Sequence, residues 1–381
     1  MTRKTDGRSS GAARSAGNVK SLRSAIDKLD IQILKMVNQR ASLAAQIGKL
    51  KNDQGSDVFS PVREDEVLTN VVQANRGPLD ANTIRAVFRE IMSGSRALQK
   101  IVKIAYLGPE YSFSHLAAVE RFGQSVEFIK VGSVAAVFEE VNRGHAEFGV
   151  VPLENSTDGR VADTMEMFIR LPQLTICAEV PLPIHHNLLA NCEQQEIRRV
   201  YSKPQALSQC RTWISKNVPH ASLHEVASTA TAAELAQREP GAAAIASRQA
   251  AVRYGLRVLF TNIEDAPNNL TRFAVIGHHK AERTGHDKTA IMMRVNDQPG
   301  ALVSALDAFK SAKINLTWIE SFPAPPSPKP ESVFFIDFEG HQEDPKIAKV
   351  LKQLHDHAKE VTVLGSFKME QVPEEEEGEN G

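Results

Sequence analysis

The sequence predicts three folded units in series: an all-α unit, an α/β unit and an α+β unit. Residues 19–51 place apolar side chains at intervals of three and four, the spacing of a long amphipathic helix. From residue 101 to about 277, helix-like and strand-like segments alternate, which is typical of α/β proteins. Residues 288–366 follow the order strand, helix, strand, strand, helix, strand, which indicates a ferredoxin-like α+β fold.

Composition limits the classes of protein to which the chain can belong. Its 381 residues are enough for two to three domains of roughly 100–200 residues each. A net charge of −1 indicates neither a nucleic-acid partner nor a membrane surface, and no run approaches the roughly 18 apolar residues that span a bilayer. The three cysteines form neither a Cys-x-x-Cys pair nor an even set, which favours a reducing, cytoplasmic setting.

The helical unit, residues 18–100, should contain three helices. The first, at 19–51, would be about 50 Å long, and a single copy cannot cover its apolar stripe. We therefore expect a helix from a second copy, and with it a homodimer or higher homo-oligomer. The second helix begins at Ser60-Pro61, with Ser60 as its N-cap, and the third runs from about 82 to 100.

The α/β unit, residues 101–280, should consist of short parallel strands and intervening helices. The basic segment 1–17 is expected to be a disordered tail and the acidic segment 369–381 a solvated one. A polar linker at 278–288 leads to the C-terminal unit, residues 287–368. Predicted strands lie at 101–107, 148–151, 174–180 and 242–246, and predicted helices at 114–122, 133–143, 205–216 and 229–238.

Charged residues occur along the helical unit in a specific order. Arg40 and Lys51 are three helical turns apart and point the same way, whereas Arg23 faces another side, from which it would reach a partner's site in an antiparallel dimer. Each charge alone is typical of a solvated helix face. The whole series, from Leu22-Arg23 through Gln39-Arg40, Gly48-Lys49-Leu50-Lys51 and Pro61-Val62-Arg63-Glu64 to Gln99, resembles the all-helical chorismate mutases.

This resemblance implies a rearrangement of the dianion chorismate without a cofactor. The protein would fold the substrate's side chain over its ring and stabilise charge on the ether oxygen. Arg40 and the partner's Arg23 would bind the carboxylates, Lys51 and Gln99 would face the ether oxygen, and Glu64 would accept the ring hydroxyl. The full set implied for chorismate binding is Arg23, Arg40, Lys51, Ser60, Arg63, Glu64, Ser95 and Gln99.

Three segments of the α/β unit resemble the prephenate dehydratases: Gly108–His115, Val151–Gly159 and Asn269–Phe273. The resemblance spans about 101–278 and implies a two-lobed, periplasmic-binding-protein-like fold. Lobe one would comprise 102–182 plus a returning strand near 271–277, and lobe two would comprise about 183–268. The site would lie in the cleft, at strand ends, where α/β sheets bind ligands.

The implied reaction removes carbon dioxide and the ring hydroxyl of prephenate. It needs a donor at the leaving hydroxyl and dipoles that position two carboxylates. By resemblance Thr271 is the essential residue at the hydroxyl, and Arg272 either holds a substrate carboxylate or forms an ion pair that locks the lobes. Glu154 is expected to be a structural partner. The full set implied for prephenate binding is Ser112, Asn155, Ser156, Ser228, Thr229, Thr271, Arg272 and Phe273.

No metal or other cofactor is predicted. The adjacent His185 and His186 would point apart on a strand, and no third ligand is spaced nearby.

The C-terminal unit resembles the ACT domains that bind phenylalanine, through Gln298–Val303 and Ile319–Pro323. The Gly300 turn, which opens a helix, could bind an amino-acid carboxylate with its N–H groups. A purely structural dimerisation domain is the alternative, since fold alone does not give function. The residues implied for phenylalanine binding, at a subunit interface, are Gly300, Ala301, Leu302, Glu320 and Ser321.

Four positions depart from the family patterns. Ser60 replaces an Asp found in some mutases, and Tyr111 replaces a Gly, which would strain a turn that needs positive φ. Lys203 replaces a His, and Phe322 replaces the Arg of Glu-Ser-Arg-Pro.

Together the resemblances imply a bifunctional enzyme of phenylalanine biosynthesis. It would convert chorismate to prephenate and then to phenylpyruvate, with inhibition by phenylalanine. The alternatives are a chain that retains only one activity, a non-catalytic amino-acid-binding sensor, and arogenate as the second substrate.

Overall fold

The structure, a computed structural model, describes residues 9–53, 60–296, 298–323 and 332–370, with side chains from residue 19 onwards and none for 51–53. The helical unit comprises α1 (Ser9–Asp53), α2 (Pro61–Ala74) and α3 (Ala81–Ala97). Because α1 begins at Ser9, residues 9–17 are helical, which corrects the prediction of a disordered tail for that part of 1–17. The predicted N-cap is confirmed, since Ser60 Oγ accepts the Arg63 N–H at 3.4 Å.

The first half of α1 projects from the unit, and none of the other described elements covers it. Every described side chain from residue 19 to 36 is exposed, including Leu29 at 55% and Met36 at 67%. The second half packs on α3, where Gly48 is buried because the Gln99 side chain lies across it and would overlap any β-carbon there. A long apolar stripe in solvent is unusual for a soluble helix.

Lobe one is a mixed sheet with the strand order β2-β1-β3-β11-β5. The β1–β2 and β1–β3 pairs are parallel, but β11 is antiparallel to both β3 and β5, so the prediction of parallel strands is wrong there. The predicted return of the chain into this sheet is confirmed by β11. Its elements are β1 (Lys103–Leu107), α4 (Phe113–Phe122), β2 (Glu127–Val131), α5 (Val134–Asn142), β3 (Phe148–Asn155), β4 (Gly159–Arg160), α6 (Ala162–Arg170), β5 (Thr175–Pro183) and β11 (Leu270–Gly277).

Lobe two has the strand order β10-β6-β9-β7-β8, with β7, β8 and β9 parallel. The single helix predicted at 205–216 is two helices that meet at Cys210, because the Asp265 carboxylate accepts the N–H groups of Thr212 and Trp213 and starts a new helix there. The elements are β6 (Asn187–Ala190), β7 (Arg199–Ser202), α7 (Pro204–Gln209), α8 (Arg211–Asn217), β8 (Ser222–Glu225), α9 (Thr229–Arg238), β9 (Ala242–Ala246), α10 (Arg248–Tyr254) and β10 (Arg257–Phe260).

The C-terminal unit confirms the predicted βαββαβ order. Its antiparallel sheet, β13-β14-β12-β15, carries α11 and α12 on one face. The other face packs on lobe one, where Met292 and Phe335 share an apolar core with Phe168. The elements are β12 (Asp287–Arg294), α11 (Ala301–Ala312), β13 (Leu316–Pro323), β14 (Ser332–Glu339), α12 (Pro345–His357) and β15 (Glu360–Lys368). The Pro-rich segment and most of the acidic tail lie outside the described residues.

Candidate active sites

Residues predicted to bind chorismate meet where the three helices of the helical unit join. Arg40 Nη1 donates to Ser95 Oγ at 3.1 Å, and Ser95 in turn donates to the Ile91 carbonyl at 2.7 Å. Burial lowers the pKa of Arg40, and the nearby Glu64 carboxylate opposes this effect. Gln99 lies against Gly48 of α1. A guanidinium, a hydroxyl, a carboxylate and an amide therefore converge on one region.

Other predicted members of this site lie elsewhere in a single copy. Arg23 is exposed about 25 Å further along α1, and Arg63 is exposed in an ion pair with Glu66 at 2.8 Å. Ser60 acts as a helix cap, and the Lys51 side chain lies outside the described part of the chain. Within one copy, the side chains that the structure describes thus assemble only part of the implied cage.

Glu64 has a partner that the sequence reasoning missed. Arg96, buried on α3, pairs with the Glu64 carboxylate and also donates to the Phe122 carbonyl of α4. A lone arginine on a helix gives no signal of such a role. Next to it, Asp65 pairs with Arg121 at 2.7 Å. The candidate mutase site is therefore fixed to the end of α4 in lobe one.

Thr271 and Asn155 form the centre of the second candidate site. They are register partners on β11 and β3, and Asn155 Nδ2 donates to Thr271 Oγ1 at 2.8 Å. Asn155 Oδ1 accepts the N–H groups of Thr157 and Asp158 at 3.0 Å, which fixes the orientation of its amide. Because Thr271 Oγ1 accepts in this contact, its own hydrogen is directed elsewhere and can be donated.

A chain of amides extends from this pair to lobe two. Asn155 Nδ2 donates to Asn269 Oδ1 at 2.8 Å, and Asn269 Nδ2 donates to Gln209 Oε1 at 2.9 Å. Gln209 Oε1 also lies 2.9 Å from His186 Nε2, and Gln209 Nε2 donates to Asp158 at 3.1 Å. Burial lowers the pKa of His186. The site roles of Gln209 and Asn269 were not predicted. Gln209 lies in a short helix without a distinctive pattern, and Asn269 opens the Asn269–Phe273 segment but is not among the residues implied to bind prephenate.

Several predicted prephenate residues have structural contacts of their own. Ser112 caps α4, accepting the His115 N–H at 3.3 Å and donating to the Leu107 carbonyl at 3.0 Å. Ser228 caps α9 in the same manner, and Thr229 is buried. Ser156 donates to the Asn268 carbonyl and accepts the Leu270 N–H, so it ties the segment before Thr271 to β3.

Two predictions for this site need correction. Phe273 was predicted to contact prephenate, but its ring is 2% exposed inside the core under α4. Its neighbour Arg272 faces away from the cleft and pairs with Glu154 at 2.8 Å, with Glu179 and with Asp337. The ion-pair alternative for Arg272 therefore holds, but Asp337 lies on β14, so the pair joins lobe one to the C-terminal unit and not to lobe two.

The turn around Tyr111 has the positive φ that a glycine would tolerate, at 63°. Such a conformation is strained for a bulky residue. The Tyr111 N–H donates to His115 Nδ1 at 3.1 Å, and its ring packs on the core of lobe two with the Arg253 guanidinium 5.9 Å from the ring centroid. The substitution thus places a lobe-one ring against lobe two. Lys203 is exposed just before α7.

A cavity of about 570 Å³ lies beside the Thr271 pair, between α4 and lobe two. Its walls include Leu182, which is the register partner of Thr271, together with Phe113, His185 and Arg248. None of the residues predicted for prephenate lines it. The hydrogen-bonded Thr271 cluster and this cavity are therefore neighbouring features, and the chemistry is better placed at the cluster, where the polar groups converge.

The predicted phenylalanine residues lie on two elements of the C-terminal unit. Gly300, with φ of 83°, precedes α11 as its N-cap residue, and Ala301 is buried. On β13 the side chains alternate, so that Glu320 is half-buried and Ser321 exposed. Glu320 pairs with Arg160 of β4.

The described residues contain no group of three His, Cys, Asp or Glu side chains placed to hold a metal ion. His185 bonds to Glu264 and His186 to Gln209. In the described part of the chain, no helix is both long and apolar enough to cross a membrane.

Comparison with known proteins matches all three units. Residues 22–100 match the family model for chorismate mutase type II, 104–281 that for prephenate dehydratase and 289–356 that for the ACT domain. A curated relative from Aquifex aeolicus, a bifunctional chorismate mutase/prephenate dehydratase, is 40% identical over 92% of this chain and 97% of its own. A relative of the same name from Pseudomonas aeruginosa is 41% identical over the same shares.

Solved structures support the same assignment for the last two units. The structure of a prephenate dehydratase in complex with L-Phe from Arthrobacter aurescens is 32% identical and has a TM-score of 0.66, covering 71% of this chain and 92% of that one. With both the fold and the full-length relatives in agreement, the chain belongs to the family of bifunctional chorismate mutase/prephenate dehydratases.

Proposed function

We propose that the chain converts chorismate to prephenate in its helical unit and prephenate to phenylpyruvate in the cleft of its α/β unit, under inhibition by phenylalanine. The observation that carries the second step is the 2.8 Å contact between Asn155 and Thr271 at the edge of the cleft. The relatives of this name, matched over 97% of their length, support the pairing of the two activities.

For the first step, the helical junction supplies charge and geometry without covalent chemistry. The Arg40 guanidinium, held by Ser95, binds a substrate carboxylate. Gln99 donates to the ether oxygen on which negative charge grows, and as an amide it does so without needing acid pH. Arg96 orients the Glu64 carboxylate towards the ring hydroxyl. The remaining cations, Arg23 of a partner copy and Lys51, complete the cage.

The exposed stripe on α1 supports a dimer as the active form of the mutase. A second α1 packed along residues 19–36 would bury the apolar side chains that a single copy leaves in solvent. It would also bring a partner's Arg23 towards the site that contains Arg40.

For the second step, Thr271 donates its hydrogen to the leaving hydroxyl of prephenate. The ring C–OH bond breaks as the bond to the ring carboxylate breaks, and the electron pair from that carboxylate bond completes the aromatic ring. One proton is taken up, and carbon dioxide, water and phenylpyruvate are released. Asn155 holds Thr271 Oγ1 so that its hydrogen points away from the amide. Ser156 and Asn269 order the segment that carries Thr271.

Phenylalanine is proposed to bind the C-terminal unit, near the Gly300 turn and Glu320. The ACT family match and the L-Phe complex of the Arthrobacter relative support this role. The three free cysteines support a reducing, cytoplasmic setting.

The test supplies purified chain with chorismate, and separately with prephenate, and follows both to phenylpyruvate with and without phenylalanine. We expect both substrates to be consumed and phenylpyruvate formation to fall when phenylalanine is added. If the chain consumes neither substrate, the non-catalytic amino-acid-binding sensor would be the only remaining hypothesis. A parallel reaction with arogenate, whose product would be phenylalanine itself, decides the identity of the second substrate.

A further inference from the structure

Arg160 of lobe one occupies the place of a charge that the C-terminal unit lacks. Position 322 holds Phe where the family pattern has Arg. The Arg160 guanidinium lies 5.7 Å from the Phe322 ring centroid, pairs with the Glu320 carboxylate and donates to the Ser321 carbonyl at 2.9 Å. The guanidinium missing from β13 is therefore supplied by the neighbouring domain.

Arg160 is also close, along the chain, to the dehydratase site. It lies on β4, opposite Glu154, and the hairpin that joins β3 to β4 begins at Asn155. Asn155 accepts two N–H groups of that hairpin while its own amide donates to Thr271. A displacement of Arg160 would thus reach the group that orients Thr271 through a short, hydrogen-bonded turn.

A second arginine makes a comparable link but cannot be released as easily. Arg272, next to Thr271, reaches Asp337 of β14 inside a buried cluster that also holds Glu179 and Lys288. Its partners Glu179 and Asp337 are almost fully buried. In contrast, the side chains of Arg160 and Glu320 are 35% and 29% exposed, so a solute can compete for them.

We propose that Arg160 is a positioning residue of the dehydratase site and the switch by which the C-terminal unit controls it. This inference rests on the proposed binding of phenylalanine. An α-amino acid at β13 presents an ammonium group that competes with Arg160 for Glu320. Its arrival releases Arg160, loosens the hairpin at 155–160 and misaligns Asn155 with Thr271. Arg272 meanwhile keeps the two units docked.

The test compares Arg160→Ala with Arg170→Ala. Arg170 is an exposed arginine of α6 that pairs with Glu166 of its own helix, so it controls for loss of a surface charge. We expect Arg160→Ala still to bind phenylalanine in equilibrium dialysis, while the coupling, measured as the factor by which saturating phenylalanine lowers kcat with prephenate, falls at least about tenfold. Its uninhibited kcat should fall several-fold with little change in KM, because alignment rather than binding is affected. Arg160→Lys should restore part of the coupling.

The measurements on Arg160→Ala and on the parent chain distinguish failure of the switch from failure of the proposed regulation. Inhibition of Arg160→Ala at the same concentrations and to the same depth as in the parent chain would overturn the switch while leaving the proposed function intact. Absence of phenylalanine binding in the parent chain would overturn the proposed regulation, and the switch with it. If Arg160→Ala fails to fold, as judged by its mutase activity and thermal unfolding, Arg160→Gln serves in its place, because it removes the charge but keeps a polar side chain on β4.

Discussion

Thr271 and Asn155 illustrate what single residues contribute and how much of that contribution could be predicted. The Thr-Arg-Phe and Glu-Asn-Ser motifs predicted both residues, because each motif can be recognised from its own short stretch of sequence. The contact of Asn269 with Gln209, which joins the pair to lobe two, could not be predicted, since it connects segments far apart in the chain. Phe273 shows the opposite error: it belongs to the motif but serves the core.

Removal of the Thr271 hydroxyl should abolish the second step alone. Thr271→Val keeps the shape of the side chain and its β-branch, so β11 should remain in register. We expect phenylpyruvate formation from prephenate to fall by about 10² or more and chorismate consumption to stay unchanged. Thr212→Val, at an exposed position, is the control. Equal loss of both activities would contradict separate sites.

Burial of His186 should make stability depend on pH. Its pKa is lowered in the folded chain, so between that value and the ordinary 6.5 the unfolded chain binds more protons. The free energy of unfolding should therefore fall as pH drops below about 6.5, with a slope of up to about 1.4 kcal/mol per pH unit for one histidine. His185, Glu264, Gln209 and Asp158 surround this imidazole or contact its neighbours.

Urea unfolding between pH 5 and 8 measures this effect. His186→Gln should flatten the dependence by about one proton, while His220→Gln, at an exposed position, should leave it unchanged. A parent chain whose unfolding midpoint is constant over this range would show that His186 is not kept neutral by burial.

At the scale of secondary-structure elements, periodicity predicted most helices and strands and failed where another segment intervenes. The break at Cys210 depends on Asp265, which no local pattern reveals. The antiparallel return of β11 follows from chain topology, which alternation of elements does not specify. The apolar stripe of α1, in contrast, is predicted from residue spacing alone, and its side chains are exposed in a single copy.

A charge within that stripe should dissociate the proposed dimer. Leu29→Glu places a carboxylate among the apolar side chains, and we expect association to weaken by at least about 2 kcal/mol, or about 30-fold. Mutase activity should fall with the dimer at low protein concentration. Asn38→Glu, on the opposite side of α1, is the matched control. Sedimentation at several concentrations gives the association constant, and a Leu29→Glu chain that associates like the control would refute the α1 interface.

At the scale of the whole molecule, the sequence predicted the three units but not how they dock. The apolar face of the C-terminal sheet could have packed on a second copy as readily as on lobe one, because a hydrophobic surface does not specify its partner. The docking is specified by the buried ions, above all by Arg272 and Lys288 facing Glu179 and Asp337. Such contacts between distant segments produce no local pattern in the sequence from which they could be predicted.

Loss of Arg272 should therefore destabilise the docked pair of domains. In Arg272→Met the buried Glu179 and Asp337 carboxylates would keep only Lys288 among these cations, and breaking a buried pair in this way costs about 3–5 kcal/mol. We expect a lower urea midpoint and faster proteolysis between the two units. Arg170→Met is the control. An unchanged midpoint would mean that apolar contacts alone hold the C-terminal unit in place.

The ions around Asp65 carry a consequence for how such a chain can be divided or joined. Asp65 of α2 pairs with Arg121 of α4 at 2.7 Å and lies 3.6 Å from Lys368 of β15, so all three domains meet at one carboxylate. A version of the protein split near residue 100 would leave the almost fully buried Arg121 without this anion. The modules of this enzyme are thus not freely interchangeable. A stand-alone dehydratase with the same fold would lack the charge that Asp65 contributes to Arg121 and Lys368 at this junction.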